Sequence, residues 1–183
     1  MVGVFWAKKH FTQEIKMAYK KDILVTGGAG FIGSHLSEKL LKCGHRVYVI
    51  DNLSTGSLAN IEYLQQSPRF SFIKGSVIDE TLMQDLINQV DYIYHLAAAV
   101  GVKYIMDNPL ESIKTNARGV EIVLELASQE KKRILIASSS EVYGKDGKVP
   151  YKESGDRLMG ATSIHRWSYA STKAFDEFLA LAY

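Results

Sequence analysis

The sequence predicts an α/β domain with a doubly wound parallel sheet, and three observations carry that prediction. Short apolar runs rich in Ile, Val, Leu, Phe and Tyr alternate with longer stretches of helical periodicity. Glycines 27, 28, 30 and 33 crowd the junction between the first run and the first helical stretch. An acidic residue, Asp51, closes the second run.

Taken in order, the apolar runs at 22–26, 46–50, 70–73, 91–96 and 133–138 read as buried strands. Helices are expected at about 31–43, 58–66, 79–89 and 109–129, and from about 164 to the end. Asn108-Pro109 reads as a helix start, with Asn as cap and Pro in the first turn. Right-handed crossovers between parallel strands give five strands in the order 3-2-1-4-5. The longest irregular stretch, about 144–163, follows the last strand, where loops of such folds carry function. Residues 1–20 mix bulky apolar and basic side chains and read as a loosely ordered leader. Within it Phe11, Ile15 and Met17 share one face of a short amphipathic helix, and the folded domain is expected over 21–183.

The chain has 183 residues, 22 basic and 20 acidic, for a net charge of +2. That balance gives no reason to invoke nucleic acid or an anionic membrane. No apolar run approaches the ~18 residues of a membrane span. The single cysteine, Cys43, forms no internal disulfide, and there is no metal-ligand cluster; both features fit the cytoplasm.

Gly28, Gly30 and Gly33 satisfy G-x-G-x-x-G between a strand and a helix, the context that makes it a Rossmann-type dinucleotide fingerprint. The first glycine permits a tight turn, the second a close approach of a pyrophosphate, the third close helix–strand packing. The helix N-terminus offers free N–H groups to the phosphates. Asp51 is placed to accept hydrogen bonds from the adenosine ribose and to repel a 2′-phosphate, so NAD is expected over NADP. Further on, Tyr169 and Lys173 in "SYASTK" are four apart and share a helical face. A nearby ammonium favours a phenolate, which suits a general base and predicts a lowered Tyr169 pKa. Ser138, Ser139, Ser140 and Glu141 follow the fifth strand, where such folds bind ligands.

The segments "TGGAGFIGSHL", "DNLSTG", "HLAA", "TNARG", "SSSEVYG" and "SYASTK" together resemble the extended short-chain dehydrogenase/reductase family, over residues 22–183. They are closest to its nucleotide-sugar epimerases, dehydratases and decarboxylases. The resemblance implies a tightly held NAD, contacted by Gly27, Gly30, Phe31, Ile32, Gly33, Asp51, Asn52, Ser76, Val77, Leu96, Ala97, Ala98, Asn116, Tyr169 and Lys173. It makes Tyr169 the catalytic base, Lys173 its partner and the holder of the nicotinamide ribose, Ser139 the contact to the reacting sugar hydroxyl, and Glu141 a second acid/base or substrate contact. Asn116 is implied to support the site structurally. Ser76 stands where the family often has an Asp at the adenine, and the backbone of Val77 is the substitute contact.

Dehydratases of the family carry Asp-Glu before "VYG", with the Asp as acid; here the pair is Ser140-Glu141. This form, and the Arg-Trp before "SY", resemble UDP-glucuronate decarboxylases. The segment "AAAVGVKYIMDNP" is similar to epimerase-like members, so a UDP-hexose 4-epimerase is the second reading. A non-catalytic NAD-binding module is the reading from another class. The resemblance further implies a UDP-sugar substrate, transient oxidation at C4 and a homodimer for the complete enzyme. Because family members continue with a further strand and a C-terminal substrate lobe, the 183 residues alone are expected to turn over no nucleotide sugar. Among the remaining residues, His95 reads as a packing group, His35 and His45 as surface or cap residues, Lys103 as exposed and Trp167 as a loop anchor.

Overall fold

The computed structural model describes residues 20–147 and 149–183. The helix expected around Phe11, Ile15 and Met17 lies outside them. Five strands form one parallel sheet: β1 (Asp22–Thr26), β2 (Arg46–Asp51), β3 (Phe70–Lys74), β4 (Tyr92–His95) and β5 (Arg133–Ile136), in the order β3-β2-β1-β4-β5. The helices are α1 (Phe31–Lys42), α2 (Glu80–Asn88), α3 (Val102–Asp107), α4 (Pro109–Gln129) and α5 (Arg166–Ala182). The strand order and the βαβ alternation are those the sequence predicts.

Both faces of the sheet are covered, so its strands are apolar on both sides. Ile23 and Val25 of β1 join Val47 and Val49 of β2 in a core with Leu40 and Leu41 of α1. Leu24 and Ile50, pointing the other way, join Met83 and Ile87 of α2 and Ile122, Val123 and Leu126 of α4. This period-2 division fixes the register, because a one-residue slip would exchange the two cores. The register sets Thr26, Ile50, His95 and Ile136 in one row at the carboxyl ends of four strands. The site lies just beyond that row, and Ile50 reaches its lining.

The structure departs from the sequence reading at three elements. Residues 58–66 form not an α-helix but two 3₁₀ turns, Leu58–Asn60 and Glu62–Gln66. A short helix, α3, occupies residues read as loop. Asn108 makes no side-chain cap on α4; its side chain instead donates back to the Tyr104 carbonyl at the end of α3. Pro109 does stand in the first turn of α4.

Candidate active site

A cleft of about 300 Å³ opens at the carboxyl ends of the strands. The turn from β1 to α1 forms one wall. Gly27 adopts φ +68°, and a Cβ there would lie 2.8 Å from the Ala97 backbone. The tight-turn requirement therefore falls on Gly27 rather than on Gly28, whose missing side chain makes room for Val49. At Gly33 a Cβ would collide with the Gly27 carbonyl and stand 2.6 Å from the Gly28 Cα, so helix and turn pack at backbone contact. Gly30 caps α1 without any side-chain acceptor, which leaves the first-turn N–H groups for a ligand. Phe31 and Ile32 are 79% and 67% exposed there.

Asp51 ties this turn to the end of β2. Its Oδ2 accepts the Ala29 N–H at 2.9 Å and its Oδ1 the Leu53 N–H at 2.8 Å. The "DNLSTG" segment then folds back over the turn, with the Ser57 N–H and the Asn60 amide both on the Ala29 carbonyl. Each Asp51 oxygen retains a lone pair, and the residue lines the cleft with Asn52. Ser76 and Val77 line the same side after β3, and Leu96, Ala97 and Ala98 the side after β4.

Tyr169 and Lys173 face the cleft from α5. The Tyr169 pKa is raised, not lowered as the sequence predicts. Burial is the main cause, and the charges of Glu141 and Asp176 add to it, while the neighbouring Ser139 hydroxyl favours the ionised form. Lys173 is buried with its Nζ on Asp176 Oδ2 at 2.9 Å, so its charge is already compensated. Ser139 and Glu141, in the turn after β5, stand beside the phenol at the edge of the cleft; Ser138 is the serine of that run that lines it.

Asn116 does not line the cleft. It is 3% exposed, and its amide clamps Ala99, accepting the Ala99 N–H at 2.6 Å and donating to the Ala99 carbonyl. It shapes the wall from behind. Ser54, Thr55, Gly56, Gly75, Ala99, Val100, Thr115 and Ala137 also line the cleft. The "DNLSTG" motif pointed to the first three and "TNARG" contains Thr115; the others follow only from the fold.

His95 is fully buried, its pKa pushed down to about 3 by desolvation and by the Lys173 charge. It packs, as the sequence predicts. Lys103 is exposed, and His35 sits on the surface of α1 against the Phe31 carbonyl. Trp167 packs its indole where a Gly160 side chain would be and lies under the Lys145 ammonium, anchoring the loop after β5. The same loop is held by Arg157, which stacks over Tyr143 and pairs with Glu177 at 3.0 Å; Glu177 in turn accepts the Ser138 hydroxyl. The sequence reading missed Asp176, Glu177 and Arg157. No helix among the described residues is long and apolar enough to cross a membrane.

Known proteins resemble this chain in sequence and fold. Residues 24–183 match the family model described as GDP-mannose 4,6 dehydratase. A UDP-N-acetyl-alpha-D-glucosaminuronate decarboxylase of Bacillus cytotoxicus is 48% identical over 90% of this chain and 50% of its own length. UDP-glucuronic acid decarboxylase 1 of Arabidopsis thaliana is 44% identical over 72% of this chain and 29% of its own. Among solved structures, the UDP-N-acetylglucosamine 4-epimerase of Methanobrevibacter ruminantium superposes with a TM-score of 0.80 at 30% identity, over 90% of this chain and 51% of that one. The dTDP-glucose 4,6-dehydratase DesIV of Streptomyces venezuelae, solved with NAD and TYD bound, gives 0.79 at 32%, over 88% and 51%. The chain thus spans about half the length of these two structures and half or less of the two decarboxylases. Its sheet order, its glycine turn and a match running from β1 to the last residue make it a member of the extended short-chain dehydrogenase/reductase family.

Proposed function

We propose that this domain binds NAD and serves an NAD-dependent decarboxylase of a UDP-linked uronic acid. The observation that carries the reading is one cleft shared by the uncapped α1 turn, Asp51, Tyr169 and Lys173, with Ser139 and Glu141 beside the phenol. The residues fit the cofactor. Free first-turn N–H groups suit a pyrophosphate, and the spare lone pairs of Asp51 suit ribose hydroxyls. Bound there, NAD supplies reversible oxidation at the sugar C4. Tyr169 takes the proton of the C4 hydroxyl, Ser139 holds that hydroxyl, and Lys173 meets the nicotinamide ribose. The 4-keto form of a uronic acid is a β-keto acid, whose bond to the carboxylate breaks with release of carbon dioxide; the electron pair left behind takes a proton at C5, and the C4 ketone would be reduced again by the hydride first taken from it. Glu141 serves as a second acid/base, and general acid–base help of this kind is worth about 10²–10⁴ in rate.

Decarboxylation is favoured over dehydration by Ser140, which stands where the dehydratases have their acid. It is favoured over 4-epimerisation by the named decarboxylases at 48% and 44% identity. Epimerisation is the second reading, supported by the 4-epimerase neighbour. Since the chain spans half of its B. cytotoxicus relative, the activity is proposed for the domain joined to a substrate-binding part. The 183 residues alone are expected to bind NAD at best weakly and without multiple turnover.

The test joins the domain to the C-terminal half of the B. cytotoxicus decarboxylase. The soluble chimera is incubated with NAD and a panel of UDP-uronates and UDP-hexoses, and the products are weighed. Loss of carbon dioxide from a uronate, abolished by Tyr169→Phe, is the expected result. An epimer of unchanged mass selects the second reading. A chimera that binds NAD and converts nothing points to a binding module.

A further inference from the structure

Among the described residues Lys173 is the one lysine or arginine that is buried, and its partner Asp176 is buried too. They lie one turn apart on α5, with Tyr169 one turn before Lys173. The Lys173 Nζ donates to Asp176 Oδ2 at 2.9 Å, and the two side chains are 4% and 2% exposed. Oδ1 of the same carboxylate is buried without a hydrogen-bond partner. An ion pair taken out of water is a poor stabilising device, since apolar residues of similar volume often serve as well. A half-satisfied buried carboxylate adds to the cost. Both costs fall where Lys173 lines the cleft, which points to a task rather than to packing.

We propose that Asp176 is a positioning residue: it keeps the Lys173 ammonium charged and fixed at depth beside Tyr169, so that a bound cofactor meets a pre-set cation. The proposal rests on the reading above that Lys173 serves the cofactor. The surroundings leave the task to Asp176. His95, at the end of β4, is neutral and faces Lys173. Helix α4, packed against α5, buries no charged residue, and α3 buries only Ile105. Glu141, from the turn after β5, acts on Tyr169. On α5 itself Glu177 is engaged by Ser138 and Arg157. Burial holds the Asp176 carboxyl above its ordinary range while the Lys173 charge opposes the shift, as in a pair that depends on its cation. Without Asp176, a buried ammonium sheds its proton more readily.

The test follows the lysine 13Cε resonances of the 183-residue chain against pH, with Lys173→Arg identifying the Lys173 signal. In Asp176→Asn, Lys173 is expected to lose its proton at lower pH than in the wild type, and Asp176→Glu to restore it. In parallel, the NAD affinity of Asp176→Asn is expected to fall about tenfold between pH 7 and 9, as the cation is lost, while the wild type holds nearly constant. An unchanged Lys173 titration in Asp176→Asn overturns the proposal whatever happens to NAD. A shifted titration in a protein that binds no NAD at any pH supports the proposal and sinks the reading of Lys173 as a cofactor contact. If Asp176→Asn does not fold, Lys173→Met with Asp176→Leu decides. A folded double variant shows that Asp176 is required because of Lys173, and an unfolded one overturns the proposal.

Discussion

The Asp51 carboxylate accepts the Ala29 N–H at 2.9 Å and so couples the end of β2 to the glycine turn 22 residues earlier. The same side chain holds Leu53 with its other oxygen. It therefore shapes the loop that a dinucleotide would rest on and also presents charge to that ligand.

Replacing Asp51 should show both roles. Asp51→Ala leaves two backbone N–H groups without their acceptor, and a buried group left unsatisfied costs about 1–3 kcal/mol. The expected outcome is weaker NAD binding together with a smaller preference for NAD over NADP, since a 2′-phosphate is no longer repelled. Titration calorimetry of wild type and variant with each cofactor checks this. Equal affinity of the wild type for NAD and NADP would remove Asp51 from cofactor choice.

The glycines of the turn separate into two kinds. Gly33→Ala pushes a methyl group into the backbone of Gly27 and Gly28, and overpacking of this sort costs about 1–3 kcal/mol. At Gly30 the nearest atom to a new Cβ is the Gly27 carbonyl at 3.3 Å, and the rest is open. Gly33→Ala should lower the urea midpoint, while Gly30→Ala should keep stability and lose NAD affinity. A Gly30→Ala protein that binds NAD as tightly as wild type would show that no ligand approaches that backbone.

Much of the fold was legible because both sheet faces are apolar and the strands are short, so each apolar run maps onto a strand. Residues 58–66 misled because Leu58, Ile61 and Leu64 recur every three residues, a spacing that belongs to 3₁₀ turns as much as to an α-helix. Helix α3 spans six residues, too few to show a period. The cofactor side of the site was legible from glycine spacing and Asp51. The electrostatics of Tyr169 were not. The i,i+4 spacing places an ammonium near the phenol, but sequence does not reveal that Asp176 claims that ammonium or that burial raises the phenol's pKa. Nor does a motif separate Asn116 in the cleft from Asn116 behind it, clamped on Ala99.

Tyr169→Phe removes the phenolic oxygen and keeps the ring that lines the cleft. NAD affinity of the domain is expected to stay within a factor of about three, and turnover of the decarboxylase chimera to fall by about 10² or more. Calorimetry and product mass report the two effects separately. Undiminished turnover in the Phe variant would exclude Tyr169 as the base.

The final prediction concerns pH. Thr26 Oγ1 accepts the N–H groups of Leu96 and Ala97 at 3.2 and 3.1 Å. Its two lone pairs are thereby used, and its own proton goes to His95 Nδ1, 3.0 Å away. His95 is then a neutral imidazole with its hydrogen on Nε2, and a second proton would face a hydroxyl donor and the Lys173 charge. Its folded pKa is about 3, against 6.5 when unfolded. Between those values the unfolded chain takes up a proton that the folded chain refuses, so stability falls as pH drops below 6.5 and continues to fall toward 3. The slope from this residue is on the order of 1 kcal/mol per pH unit. Asp176 acts with the opposite sign. Its raised carboxyl contributes stability that is present below 3.8 and lost as pH rises through its folded pKa, which offsets part of the acid loss. Urea unfolding between about pH 4.5 and 7.5, which spans the upper edge of the His95 range, should show the wild type nearly level above 6.5 and losing stability steadily on acidification below it. His95→Gln should be less stable at neutral pH and flatter across the window. Equal slopes for the two proteins would mean that His95 titrates alike in the folded and unfolded chains.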